Sequence, residues 1–156
     1  MRMELRPMPA DEFGPWLQRL MAGYAGHMVA SGAYTPEIAS AKARQDTERA
    51  LPLGFRTPGH LFYRLVAGEQ PVGWLWLAVA SPDKDPTMAW IYDIEVAEAY
   101  RGRGYGREAM LLAEEEARRQ GMTSLGLNVH GGNTAAISLY ESLGYQVTAQ
   151  QMKKPL

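Results

Sequence analysis

The stretch from Trp90 to Gly106 restricts the fold of this chain more than any other. A run of β-forming residues (Trp90, Ile91, Tyr92, Ile94, Val96) enters a loop with glycine at 102, 104 and 106, and that loop opens directly into a helical pattern. Glycine tolerates unusual dihedrals and close approach, so successive main-chain N–H groups can converge on one set of oxygens. The start of the helix that follows adds roughly half a positive charge aimed at the same place. Arg101, Arg103 and Arg107 can neutralise what the amides leave over. Together these features describe a pyrophosphate site.

Spacing narrows the choice of ligand. The Gly-Lys-Ser/Thr ending of a P-loop is absent. Gly104-Tyr105-Gly106-Arg107-Glu108-Ala109 fits the dinucleotide pattern Gly-x-Gly-x-x-Gly/Ala. That pattern also wants an acid at the end of the next strand to hold a ribose hydroxyl, and residues 125–130 end without one. The turn follows three strands in succession rather than the first strand of a βαβ unit, so the dinucleotide reading fails.

The remaining patterns place the turn in an α+β order. Residues 1–7 alternate and stop at Pro7, as a short strand would. Apolar positions Phe13, Leu17, Leu20, Met21, Tyr24 and Met28 have helical spacing over 11–31, with Pro15 blurring the start. Thr35-Pro36-Glu37 opens a second helix, fading near Leu51. Residues 60–67 and 71–80 form a hairpin, 81–86 a turn, and 87–96 a third successive strand. A helix over 105–120 carries the exposed pairs Glu114/Arg118 and Glu115/Arg119, and Gly121 stops it. A strand over 125–130, a helix over 133–143 capped by Asn133 and closed by Gly144, and strand material in 145–156 complete the chain. We expect a mixed, mostly antiparallel sheet of six to seven strands flanked by about four helices, in one domain spanning 1–156.

Composition excludes several classes. With 156 residues, 46% hydrophobic, one core can be filled. Sixteen Lys and Arg against 17 Asp and Glu leave a net charge of -1, which argues against nucleic acid as a partner. There is no Cys, so thiolate metal sites and cysteine nucleophiles are impossible. His27, His60 and His130 are too scattered to suggest a metal site. No run approaches the roughly 20 apolar residues of a membrane span. The first residues alternate charge without a signal-peptide core, so a cytoplasmic location is expected.

Two motifs now stand in order. Arg101-Gly102-Arg103-Gly104-Tyr105-Gly106 fits Gln/Arg-x-x-Gly-x-Gly/Ala, and Asn133, Ala136, Tyr140, Gly144 and Tyr145 fit Asn-x-x-Ala-x-x-x-Tyr followed by a Gly-aromatic pair. In sequence, spacing and element order the chain resembles the GCN5-related N-acetyltransferases. The resemblance implies an acetyl-CoA-dependent acyltransferase, in which a primary amine of an unidentified, small acceptor attacks the thioester directly in a ternary complex. It implies that the strand ending at Val96 splays from the parallel strand over 125–130, leaving an edge for the pantetheine arm. A main-chain N–H near Ile94 or Val96 would face the thioester oxygen, a kind of contact worth about 2.7–4 kcal/mol elsewhere. The pyrophosphate would lie on Arg101, Gly102, Arg103, Gly104, Tyr105, Gly106 and Arg107. Tyr140 matches the family's general acid, a phenol of pKa about 10 facing a thiol of about 8.5. Asn133 would cap its helix and contact the arm.

The base is left open by the motif. Family members sometimes place a Glu where this chain has Tyr92. Glu95 is the first candidate and Asp93 the second, sharing a face by the two-residue period, with a water relay as the alternative. His130 could relay protons, and Trp74 and Trp76 read as packing. The first two helices and their loop, with Tyr24, His27 and Tyr34, would line the acceptor groove. The family commonly dimerises, which suggests a homodimer. A non-catalytic acyl-CoA-binding or sensing module is the alternative function.

Overall fold

A computed structural model describes residues 2–32, 34–79 and 85–156. The chain divides into two compact units, Met1–Gly126 and Leu127–Leu156.

In the first unit, strand β1 (Met3–Pro7) is followed by helices α1 (Ala10–Ala30) and α2 (Pro36–Ala50). Strands β2 (His60–Ala67), β3 (Gln70–Ala78) and β4 (Met88–Val96) make the antiparallel meander, and helix α3 (Tyr105–Arg119) follows the glycine turn. Strand β5 (Ser124–Leu127) ends where the second unit begins. The sheet order is β1-β2-β3-β4-β5, with β4 and β5 parallel.

Alternation sorts the two faces of the sheet. Leu65, Leu75 and Leu77 are fully buried, and Tyr63 on their side donates its hydroxyl to Glu116 of α3 at 2.8 Å. On the other face Phe62 and Trp76 join Trp16 and Phe13 of α1, with Met8, Leu51 and Phe55, in an aromatic cluster. Helices therefore cover both faces. Pro15 lies inside α1 and does not mark its start. The single ladder bond it removes is outweighed by burial of the next residue, Trp16, among Phe13, Phe62 and Trp76.

The second unit contains helix α4 (Thr134–Ser142), whose Asn133 Oδ1 accepts the Ala136 N–H at 3.3 Å. Gly144 closes it with φ +95°, the left-handed conformation expected of a helix stop.

The strand count differs from expectation. Five strands are formed among the described residues instead of six to seven, because residues 145–156 make no strand and β5 stops at Leu127, short of His130. Residues 148–156 are all exposed and run through Gln150, Gln151, Lys153, Lys154 and Pro155, with no apolar face to bury against a neighbour. Residue 80, at the end of the strand expected over 71–80, and residues 81–84 of the turn expected over 81–86 lie outside the described residues.

Candidate active site

The pairing of β3 with β4 sets the geometry. Trp76 stands opposite Asp93 and Leu77 opposite Ile91, so Tyr92 is an extra residue on β4. Such a bulge re-aims the side chains around it. Here the Tyr92 ring stacks on Trp76, centroids 4.5 Å apart and planes 17° from parallel. Trp76 is only 4% exposed and belongs to the aromatic cluster on the α1 side. Tyr92 and Asp93, adjacent in sequence, thus serve the same face of the sheet. Glu95, opposite Trp74, joins them there.

Asp93 is held in an unusual state. Its Oδ2 is shielded from solvent and has no hydrogen-bond partner among the described residues. Burial, and secondarily the nearby Glu95 carboxylate, push its pKa up to about 7. Glu95 is half-exposed, 3.4 Å from the Arg101 guanidinium. On the same face Arg64 pairs with Glu12 of α1, and the Arg19 guanidinium lies 5.2 Å from the Trp74 ring centroid.

The far end of β4 has a hydrogen-bonding edge. Ala97 donates its N–H to Val72 at 2.8 Å, so the carbonyl of the same peptide unit, Val96 O, points away from β3. Arg101 Nε donates to that oxygen at 2.9 Å. The N–H of Val96 shares its direction by the pleat. Thr123 donates its N–H to Thr87 O at 2.8 Å, which ties the start of β5 to the start of β4. With only four residues, β5 flanks the first half of β4 and leaves the stretch from Ile94 to Val96 beyond its end. Gly73 permits close passage of β3 here: a Cβ on it would lie 2.0 Å from the Glu95 carbonyl oxygen.

Beyond β4 the chain turns through Gly102 (φ +75°) and Gly104 (φ +82°), and Gly104 is the residue that caps α3. Both sit in the left-handed region, which costs a side-chain-bearing residue about 1–2 kcal/mol. Ile94, Glu95, Val96, Tyr100, Arg101, Gly102, Gly104, Tyr105 and Gly106 line a cleft of about 290 Å³. Arg101 is exposed among them, and Arg103, also exposed, lies on the same turn with its guanidinium 5.6 Å from the Tyr100 ring centroid. Left-handed glycines, a helix start and an arginine around one cleft fit a diphosphate.

Other expected residues lie elsewhere. Tyr24 donates its hydroxyl to Asp46 of α2 at 3.1 Å, and none of Tyr24, His27 and Tyr34 lines the cleft. Tyr140 and Asn133 belong to the second unit. There the Tyr140 ring meets Tyr145 edge-on at 6.0 Å, and Tyr145 N–H donates to Tyr140 O at 3.0 Å. His130 lies in the turn before α4 and is exposed.

Sequence reasoning missed one element of this face, the stack of His60, Trp76 and Tyr92. Trp76 donates its indole N–H to His60 Nδ1 at 2.9 Å, and burial lowers the His60 pKa. The only available signal was the departure from the family pattern at Tyr92.

Comparison with known proteins identifies the fold and its chemistry. The model of the acetyltransferase (GNAT) family matches residues 23–145. The chain belongs to the GNAT acetyltransferase family. It is 37% identical over its whole length to the uncharacterized N-acetyltransferase YycN of Bacillus subtilis, the alignment also spanning all of that protein. The crystal structure of YycN superposes with a TM-score of 0.91, covering 99% of this chain and 98% of that one. A second B. subtilis relative, the uncharacterized N-acetyltransferase YdgE, is 32% identical over all of this chain and 99% of its own. The mycothiol acetyltransferase of Corynebacterium glutamicum is 31% identical over 85% of this chain, which spans 40% of that longer protein. GNAT membership implies acetyl-CoA as co-substrate. Among the described residues no helix is long and apolar enough to cross a membrane.

Proposed function

We propose that this GNAT protein acetylates a primary amine of a small molecule by direct transfer from acetyl-CoA, with both substrates bound together and Asp93 as general base. The observation that carries this reading is the Asp93 carboxyl, shielded, unpartnered at Oδ2 and poised at a pKa of about 7 beside the cleft-lining strand end. A base works best when its pKa lies near the operating pH, and this carboxyl meets that condition where Glu95, exposed and engaged by Arg101, does not have the same isolation.

Acetyl-CoA supplies an acyl group activated as a thioester. The turn from Gly102 to Gly106, the start of α3 and Arg101, Arg103 and Arg107 hold its diphosphate. The edge from Ile94 to Val96, splayed from β5, takes the pantetheine arm as a strand would, with Asn133 as a further contact. An N–H of Ile94 or Val96 donates to the acyl oxygen as negative charge develops there. Asp93 takes a proton from the incoming ammonium, so that the nitrogen lone pair forms the new N–C bond while the C–S bond breaks. Tyr140 gives its proton to the departing sulfur, the second proton shed by the nitrogen as the amide forms restores the Tyr140 phenol, and Asp93 returns the first to solvent. Tyr24, His27 and Tyr34 form the outer rim of the acceptor groove. The chain then acts as one catalytic domain over 1–156, and the family resemblance suggests a homodimer.

Thiol release from acetyl-CoA against a panel of amines tests the reading. Turnover that falls at least a hundredfold in Asp93→Asn supports it. CoA binding without thiol release for every amine would return the sensing module in its place.

A further inference from the structure

The bulge at Tyr92 does something the acyl-transfer chemistry does not require. An unbulged strand would alternate faces, leaving the residue before Asp93 on the α3 side of the sheet. Here the extra residue brings the Tyr92 ring round to the Asp93 side, flat against Trp76. Behind it the support is rigid: Trp76 is buried, packed on Phe62 and Trp16, and tethered through its indole N–H to His60. His60 also touches Tyr92, with ring centroids 5.5 Å apart. Tyr92 is nevertheless 38% exposed. A large aromatic residue is thus held in place by the core and presented to solvent immediately beside a shielded carboxyl.

Resting on the reading of Asp93 as base, we propose that Tyr92 is a specificity-determining residue whose ring forms the wall of the acceptor subsite and selects arylalkylamines. With the reacting ammonium at Asp93, the neighbouring carbon skeleton must pass over the adjacent side chain, which is Tyr92. A fixed aromatic surface rewards an aryl group with offset or edge-on ring packing. It also attracts the ammonium itself before the proton is lost. Because Trp76 and His60 already hold the ring, little side-chain freedom is lost on binding. A short hydroxylated amine gains none of the ring packing and leaves its hydroxyl against an apolar surface.

The experiment compares kcat/KM for 2-phenylethylamine and ethanolamine in the wild type, Tyr92→Phe and Tyr92→Ala. The wild type should favour 2-phenylethylamine at least tenfold, and Tyr92→Phe should keep that ratio. Tyr92→Ala should bring the ratio to within threefold of unity, chiefly by raising KM for the aryl amine. Calorimetric binding of CoA to each variant confirms that the cleft is intact. If Tyr92→Ala keeps CoA binding and the wild-type ratio, or if the wild type shows no preference, Tyr92 does not select the acceptor. Failure of the wild type to release thiol with either amine, or with any amine of the wider panel, removes the catalytic reading itself, a distinguishable result.

Discussion

His60 and Trp76 form a hydrogen bond in which a buried indole N–H is satisfied by an imidazole nitrogen 2.9 Å away. The bond requires Nδ1 of His60 to be unprotonated, and burial keeps the imidazole neutral by lowering its pKa. A folded-state pKa below the unfolded value stabilises the fold above about pH 6.5 and loses that contribution as the pH falls through the folded value. Denaturant midpoints measured between pH 8 and pH 5 should therefore fall less for His60→Gln than for the wild type. Equal slopes would show that His60 does not titrate against folding.

Asp93 has the opposite sign. Its folded pKa of about 7 lies above its ordinary value of 3.8, so its ionised form is disfavoured by folding. The resulting cost grows between about pH 4 and pH 7 and is constant above that. Asp93→Asn should be more stable than the wild type at pH 8, by an amount on the order of 4 kcal/mol, and the two should converge near pH 4. Thermal melts at the two pH values check this. An Asn variant less stable than the wild type at pH 8 would contradict the shielding.

Much of this fold was legible in the sequence, and the failures have physical causes. The meander, the four helices and the glycine turn followed from strong local signals: periodicity, Pro36 at a helix start, Gly121 and Gly144 past helix ends. The strand expected after Gly144 does not form: those twelve residues could supply strand material by length, but their exposed Gln and Lys residues give no face to bury. Within the site, the two-residue period correctly put Asp93 and Glu95 on one face. That reading put Glu95 first and Asp93 second, and the order we propose is the reverse, because the difference between them comes from surroundings that strand alternation does not encode: Arg101 engages Glu95, and packing shields Asp93. The Tyr92 stack depends on a bulge, which shifts the face of a single residue and leaves no trace in composition.

Gly104 enters α3 at φ +82°. Gly104→Ala should lower stability by about 1–2 kcal/mol, from the left-handed penalty alone, since nothing lies within 4 Å of the added Cβ. It should also weaken CoA binding about tenfold by moving the N–H groups of the turn. Urea unfolding and calorimetry read the two effects separately, and unchanged CoA affinity would place the diphosphate elsewhere.

Tyr140 is assigned the proton for the departing sulfur by its match to the family motif. Tyr140→Phe should lower kcat by about 10²-fold while leaving CoA affinity within twofold. Unchanged kcat would remove the assignment.

The pH dependence of kcat/KM for the amine, read by thiol release from acetyl-CoA in the wild type and Asp93→Asn, tests the role of Asp93 most directly. With Asp93 as base, wild-type kcat/KM rises with pH about an apparent pKa near 7, and Asp93→Asn is slower by about 10²–10⁴-fold with that inflection gone. A variant that keeps both the rate and the inflection of the wild type would contradict it.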